Sequence, residues 1–314
     1  LKGHIVALGL IWKPKGVGSQ DALGLLKTEL NLDTKGRQGM GHTGILDPFA
    51  EGLLLCGTEE GTKLLAPLTG LDKVYETTLC FGRSSDTLDD TGEFMDPQGE
   101  EAARVSAWLS RPDSEIDSDL KSFLVSVTES QFDQVPPHFS AVHIDGKRSY
   151  EWARQGIQKE LKSKTVNVFE TQHLGVRRDP EGCILWDFRL RVSSGTYIRA
   201  LARDWGLELC GFPGHLTRLV RTAVGPFGEG VFESKSIPVE HPFWKPLALE
   251  DFKVFFDIHY LSEFEAELLR KNGRWAPEPH PQARLLVGPN SIGTVAWTEA
   301  GSGKIGRVFT ADPF

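Results

Sequence analysis

Cysteine is scarce in this chain: four residues in 314, at Cys56, Cys80, Cys183 and Cys210. None forms a C-x-x-C pair and none sits at zinc-like spacing with a histidine, so neither a disulfide framework nor a metal centre is expected. They read as small buried hydrophobes in a reducing compartment. Long apolar runs are missing too, since nothing approaches the roughly 18 residues of a membrane span. The opening Leu1-Lys2-Gly3-His4-Ile5-Val6 is interrupted by Lys13-Pro14-Lys15 too early for a secretory signal, which makes the cytoplasm the expected location. Positive charge is in deficit, with a formal net charge of −8. That speaks against a nonspecific nucleic-acid binder, which normally carries a strongly basic domain. The glycine-dense segment 36–57 lacks the G-x-x-x-x-G-K-[ST] pattern of a phosphate loop. Internal repeats and low-complexity tracts are absent.

What is present is unevenly distributed. From Asp86 to Glu129 there are twelve acidic residues against Arg104, Arg111 and Lys121. From Lys147 to Lys164 the balance reverses, with Lys147, Arg148, Arg154, Lys159, Lys162 and Lys164 against Glu151 and Glu160. Arginines follow at positions 177, 178, 189, 191, 199, 203, 218 and 221. A polyanion could use one face while the acidic segment points elsewhere; ordinary solvated faces would give the same pattern.

The hydropathy pattern predicts a strand over 4–11 and a helix through Leu23, Leu26 and Leu30 with Ser19 as its N-cap. Strands are expected over 73–82, with Tyr75, Thr77, Leu79 and Phe81 on one face, and over 184–192, where Ile184, Trp186, Phe188, Leu190 and Val192 alternate. A helix is expected near Leu120, Phe123, Leu124 and Val127, an extended segment over 166–174, and a helix opening at Gly195-Thr196. Pro238, Pro242 and Pro246 suggest a linker. Ser262 to Glu265 reads as a capping box before Leu268 and Leu269. Short strands at 285–287, 292–297 and 305–309 suggest a small, mostly β module.

Two segments carry chemistry. In Gly41-His42-Thr43-Gly44-Ile45-Leu46-Asp47-Pro48 the glycines allow close backbone approach to a ligand. Pro48 restricts Asp47 to an extended conformation. A carboxylate so presented can be a nucleophile, a metal ligand or a turn cap, and Asp-Pro in a loop is most often a turn. In Ser193-Ser194-Gly195-Thr196-Tyr197-Ile198-Arg199 a strand runs through a glycine turn into a helix. Arg199 falls in the first helical turn, where the macrodipole disfavours a cation, so a carboxylate partner is expected.

Together these segments resemble the TruB family, the bacterial-type tRNA pseudouridine 55 synthases. The likeness is ordered along most of the chain. It runs from Lys13-Pro14-Lys15-Gly16 and Ser19 through the Asp47 loop, Gly61-Thr62-Lys63, Lys73-Val74-Tyr75 and Gly82-Arg83-Ser84-Ser85-Asp86-Thr87-Leu88-Asp89. It continues through Phe139-Ser140-Ala141-Val142, the segment Gly146 to Gly156, Gly195-Thr196-Tyr197-Ile198-Arg199 and His215 to Thr222. Ser85 replaces the more usual Thr, and Trp12 stands where an acidic residue often precedes Lys-Pro.

The resemblance implies a mixed α/β (α+β) fold: a catalytic domain over 1–235 on a largely antiparallel sheet, and a small PUA-like C-terminal module over 248–314. It implies conversion of uridine to pseudouridine in the T-loop of tRNA after base flipping. Asp47 would be the nucleophile, attacking C6 or C1′. Arg199 would pair with it, and Tyr75 would stack on the base and be a candidate to handle the C5 proton. Tyr197 and Leu219 would line the pocket, and His42 would sit near the flipped nucleotide. Lys147, Arg148 and Arg154 are candidates to contact phosphates. No cofactor and no metal are implied. The partner is the T-arm of tRNA, not DNA and not a membrane, with the chain acting as a monomer. Other readings are a guide-dependent H/ACA-type synthase, a noncatalytic tRNA-folding module, and a sugar hydrolase with Asp86 or Asp89 as its second carboxylate.

Overall fold

The computed structural model describes residues 8–29, 39–228, 243–247, 257–260, 262, 284–288, 291–297 and 303–310. In chain order the elements begin β1 (Leu8–Lys13), α1 (Ser19–Glu29), β2 (Met40–His42), β3 (Glu51–Thr58), α2 (Leu65–Leu68), β4 (Lys73–Phe81), β5 (Ser84–Ser85), β6 (Phe94–Met95), α3 (Gly99–Leu109) and α4 (Asp113–Ser126). They continue β7 (Ser130–Gln134), β8 (His143–Ile144), β9 (Lys147–Arg148), α5 (Ser149–Ala153), β10 (Lys164–Arg178), β11 (Ile184–Val192), α6 (Ile198–Cys210) and β12 (His215–Val224). The last strands are β13 (Phe243–Pro246), β14 (Asp257–Tyr260), β15 (Arg284–Gly288), β16 (Ser291–Trp297) and β17 (Gly303–Thr310). The chain divides into two compact units, one of Leu1–Leu46, Leu53–Gly70 and Phe232–Phe314, the other of Asp47–Gly52 and Leu71–Val231. Among the described residues no helix is long and apolar enough to cross a membrane.

In the first unit β1 pairs antiparallel with β13, Gly9 opposite Pro246. Pro246, expected in a linker, therefore closes a strand; Pro238 and Pro242 lie outside the described residues. The first strand starts at Leu8, and positions 4–7 and Leu30 are likewise outside them. Ser19 is the first helical residue, not a cap. Its hydroxyl donates to the carbonyl of Leu46 and accepts from the Leu46 N–H, both at 2.8 Å. The residue before Asp47 is thereby pinned at both backbone groups. The C-terminal strands form a four-stranded sheet in the order β14-β15-β16-β17, parallel only between β14 and β15. The expected capping box lies outside the described residues from position 263 onward.

The second unit is built on the antiparallel run β12-β4-β11-β10-β7. β11 buries Ile184, Trp186, Phe188, Leu190 and Val192 and leaves the residues between them half-buried, the period-2 signature of a sheet with one face on the core. Trp186 is fully buried. Its ring lies 4.4 Å from Phe188 and 5.9 Å from Trp205 of α6, with Phe81 and Phe123 completing the aromatic cluster. The expected helix near Leu120 is α4, and it packs Ile116, Leu120 and Leu124 inward.

Lys73, at the start of β4, is buried. Its ammonium donates to the Leu71 carbonyl and, at 3.1 Å, to Ser194 Oγ. Burial, and then the neighbouring guanidinium of Arg221, pull its pKa down to about 8. Between that value and the ordinary lysine range the unfolded chain binds more protons than the folded one. Stability therefore rises with pH across this window, by at most about 1.4 kcal/mol per unit. Lys73→Met should flatten the rise. Urea unfolding at about pH 8, 9 and 10 measures it, and equal slopes in parent and variant would remove Lys73 as its source.

Candidate active site

The Asp47 loop is a turn, closed by the Ala50 N–H donating to the Asp47 carbonyl at 3.1 Å. The turn frees the side chain to point away from its own backbone. Five residues on, Gly52 has φ +121, and a Cβ there would collide with the backbone of Arg221. This close approach lets Glu51 and Gly52 pair in parallel with Val220 and Arg221 of β12. Tyr75 of β4 is the other neighbour of Arg221, so Gly52, Arg221 and Tyr75 form one row across three strands.

The Asp47 side chain meets Arg199, whose Nε donates to Oδ2 at 2.8 Å. The exposures are unequal: 34% for the Asp47 side chain and 5% for Arg199. The carboxylate is thus reachable from solvent while its counterion lies beneath it. The rest of the guanidinium is committed elsewhere. Nη1 donates to the Thr87 carbonyl at 2.7 Å and Nη2 to the Phe139 carbonyl at 2.8 Å. A second carboxylate oxygen, Asp89 Oδ2, lies 3.6 Å from Nη1. Arginine's planar fork suits three such directions; a lysine ammonium does not.

The sequence offered Asp89 as a motif member and as the second carboxylate of a hydrolase, and nothing local marked it as a partner of Arg199. Its Oδ1 accepts from Thr87 Oγ1, Thr91 Oγ1 and the Thr91 N–H. Leu88 beside it takes φ 61, a left-handed conformation that costs a non-glycine residue about 1–2 kcal/mol. Two hydrogen bonds hold it there: its N–H donates to the Ser85 carbonyl, and its carbonyl accepts from the Leu216 N–H. Asp89 is buried and already bonded to several donors, which does not suit it to be the second, water-activating carboxylate of a hydrolase.

Tyr197 is the N-cap residue of α6. Gln134, buried at the end of β7, accepts from its N–H at 2.8 Å and donates to its carbonyl at 3.1 Å. The Tyr197 phenol is pushed up by burial and then by the Asp47 carboxylate, with Arg199 acting in the opposite sense. It therefore belongs to the same electrostatic neighbourhood as the ion pair. Tyr75 is buried on β4. Leu219, opposite Thr77 on β12, is its diagonal neighbour on the pleated surface. His42 lies in β2 of the first unit, opposite Cys56.

The basic segment forms a short hairpin, β8–β9, turned by Asp145 and Gly146 with φ 50 and 78, the positive pair that a tight hairpin demands. Lys147 lies 4.6 Å over the Trp152 ring and Lys159 4.7 Å. Arg154 covers Tyr150 at 5.3 Å. The hairpin is fastened to the segment whose Phe139 carbonyl Arg199 bonds: the Tyr150 N–H donates to the Ser140 carbonyl and the Ser149 N–H to the Val142 carbonyl. Arg148 reaches the Ala141 carbonyl at 3.3 Å. The later arginines are less available than their number suggests. Arg178 pairs with Asp113, and Arg191 with Asp72 and Glu170. Arg221, expected on a basic face with Arg218, is 2% exposed and cannot meet a phosphate.

Solved structures share this fold. The chain superposes on one in a crystal structure of a Cbf5-Nop10-Gar1 complex with TM-score 0.58, at 20% identity, covering 98% of this chain and 86% of that one. An archaeal box H/ACA sRNP Nop10-Cbf5 complex gives TM-score 0.55 at 17% identity. The shared fold is mixed α/β on a largely antiparallel sheet. A family model described as TruB family pseudouridylate synthase (N terminal domain) matches residues 33–198. A tRNA pseudouridine synthase B of Thermobifida fusca (strain YX) is 35% identical over 90% of each chain. One of Corynebacterium jeikeium (strain K411) is 33% identical over 97% of this chain and 94% of that one. The chain belongs to the TruB family.

Arg199→Lys tests the clamp. One ammonium cannot serve Asp47, Thr87 and Phe139 together, so a loss of about 3 kcal/mol is expected, of the order seen when a buried charge loses its partners. Chemical unfolding reads it directly; a variant as stable as the parent would show the fork to be dispensable.

Proposed function

We propose that this chain isomerises uridine to pseudouridine in the T-loop of tRNA, at the position-55 type of site, with Asp47 as nucleophile acting on a flipped-out base. The observation that carries this reading is the half-exposed Asp47 carboxylate bonded at 2.8 Å to a buried guanidinium. A nucleophilic carboxylate must be ionised, and an adjacent guanidinium favours that form. The relatives named tRNA pseudouridine synthase B supply the substrate class.

The chemistry moves a glycosidic bond within one nucleotide. The N1–C1′ bond breaks, the C5–C1′ bond forms, C5 loses a proton and N1 gains one. Atoms balance without a cosubstrate. The base must stay bound while it turns, which Tyr75 serves by stacking, worth about 1–3 kcal/mol. Tyr197 and Leu219 wall the pocket, and His42 holds the vacated position after the base leaves its stack. On this reading residues 1–235 are the catalytic domain and 248–314 a PUA-like module, in a monomeric enzyme.

Asp47→Asn keeps the side chain's shape and removes its charge. Unmodified tRNA incubated with it should yield no detectable pseudouridine by chemical mapping, with binding largely kept. Normal turnover would overturn the assignment.

A chain of net charge −8 cannot hold RNA by bulk attraction, so a local basic face must do it. Lys147, Arg148 and Arg154 are that face, with Trp152 between the lysines. Lys147→Glu with Arg148→Glu should weaken tRNA binding and flatten its salt dependence by about one slope unit per lost contact. The single-turnover rate at saturating enzyme should stay near that of the parent. An unchanged salt slope would remove these residues from the RNA face.

A further inference from the structure

Where β10 turns into β11, the chain reads Asp179-Pro180-Glu181-Gly182-Cys183. Asp179 Oδ1 accepts from the N–H groups of Glu181 and Cys183 at 2.9 and 2.8 Å. The Asp179 N–H donates to the Cys183 carbonyl at 3.1 Å. The turn is therefore stiff, and it aims a carboxylate and a thiol the same way. β4 runs alongside β11 and contributes Cys80. The two sulfur atoms and a carboxylate oxygen of Asp179 all lie within 4.8 Å of one another. They share a cavity of about 310 Å³ with His215, Asp90, Arg83 and Phe94. The proposed isomerisation uses none of these groups.

We propose that Cys80, Cys183 and Asp179 form a site for a thiophilic divalent cation, Zn²⁺ by its donor set, with water as the fourth ligand. Two sulfurs exclude a preference for Mg²⁺ or Ca²⁺, which take oxygen. Zinc–sulfur and zinc–oxygen bonds of about 2.3 and 2.1 Å in a tetrahedron put donor atoms roughly 3.5–3.8 Å apart. The three donors need close by no more than about an ångström to meet that geometry.

His215 stands opposite Cys80 on β12, and its Nδ1 lies 2.9 Å from the Arg83 carbonyl. A carbonyl only accepts, so Nδ1 carries the proton and Nε2 keeps its lone pair. Nε2 faces the Asp90 carboxylate at 3.8 Å, so His215 walls the cavity and is not a ligand. A disulfide between Cys80 and Cys183 would use the sulfurs alone and give the carboxylate no role.

Coordination by both cysteines releases two thiol protons for each ion bound. Apparent affinity should therefore weaken as pH is lowered, by up to about 100-fold per unit while both thiols are protonated.

The test uses the full chain, reduced and freed of metal by chelator. Co²⁺ alone should give a thiolate-to-cobalt charge-transfer band that saturates at one equivalent, and one equivalent of Zn²⁺ should abolish it. Cys80→Ser with Cys183→Ser should remove the band and weaken Zn²⁺ at least about 100-fold in chelator competition, and Asp179→Asn should weaken it about tenfold. Retained pseudouridine formation would show these variants to be folded. If the double variant does not fold, Cys183→Ala in the half-buried turn decides, with a loss of at least about tenfold expected. No band with stoichiometric Co²⁺, or Zn²⁺ affinity unchanged by the cysteine variants, would overturn the site.

Discussion

One guanidinium fastens together the segments around Asp47. Arg199 projects from the first turn of α6 and bonds the Asp47 loop, the Thr87 carbonyl and the Phe139 carbonyl, with Asp89 at its flank. These segments are distant in sequence, and three of the four contacts are to loops that make no sheet ladder there. A buried cation must find partners or lose several kcal/mol. The need to satisfy Arg199 is thus what fixes where the Asp47 carboxylate sits.

The scaffold works to the same end. Gln134 exchanges two hydrogen bonds with the backbone of Tyr197, and so sets where α6 begins and where Arg199 starts. Gly52 lets the strand after Asp47 press against β12. Ser19 holds both backbone groups of Leu46. The backbone around Asp47 is therefore constrained just before and just after it, which gives a loop residue a fixed position outside any helix or strand.

Electrostatics are divided between the core and the surface. The acidic excess is partly answered within the chain, as in Arg111 with Asp119 and Arg178 with Asp113. Exposed pairs of this kind add little stability, but they occupy arginines that composition alone would assign to RNA. In the β8–β9 hairpin and α5, cations lie over Trp152 and Tyr150. Hydrogen bonds to Ser140 and Val142 tie that hairpin to the segment carrying Phe139, so its position and that of an Arg199 partner share one piece of backbone.

Elements with a local signal could be read from the chain alone. The alternation from Ile184 to Val192 specified a strand with one face on the core, because the side-chain period of a strand is two. The Asp-Pro loop and the arginine in a first helical turn each announced an electrostatic need without naming its partner. Ordered motifs then pointed to the family and to Asp47 paired with Arg199. The remainder required long-range pairing. Asp89 stood in a motif and was weighed as a hydrolase carboxylate, but only the fold brought it to Arg199. Arg221 looked like a surface cation, and the register of β12 between β3 and β4 buried it. Cys80 and Cys183 showed no metal spacing, because ligand spacing in sequence reports only sites built within one turn or hairpin. Antiparallel pairing of β4 with β11 brought their sulfur atoms together. Local periodicity and turn chemistry are written residue by residue, whereas the company a buried charge or thiol keeps is decided by which strands pair, and that depends on the whole chain at once.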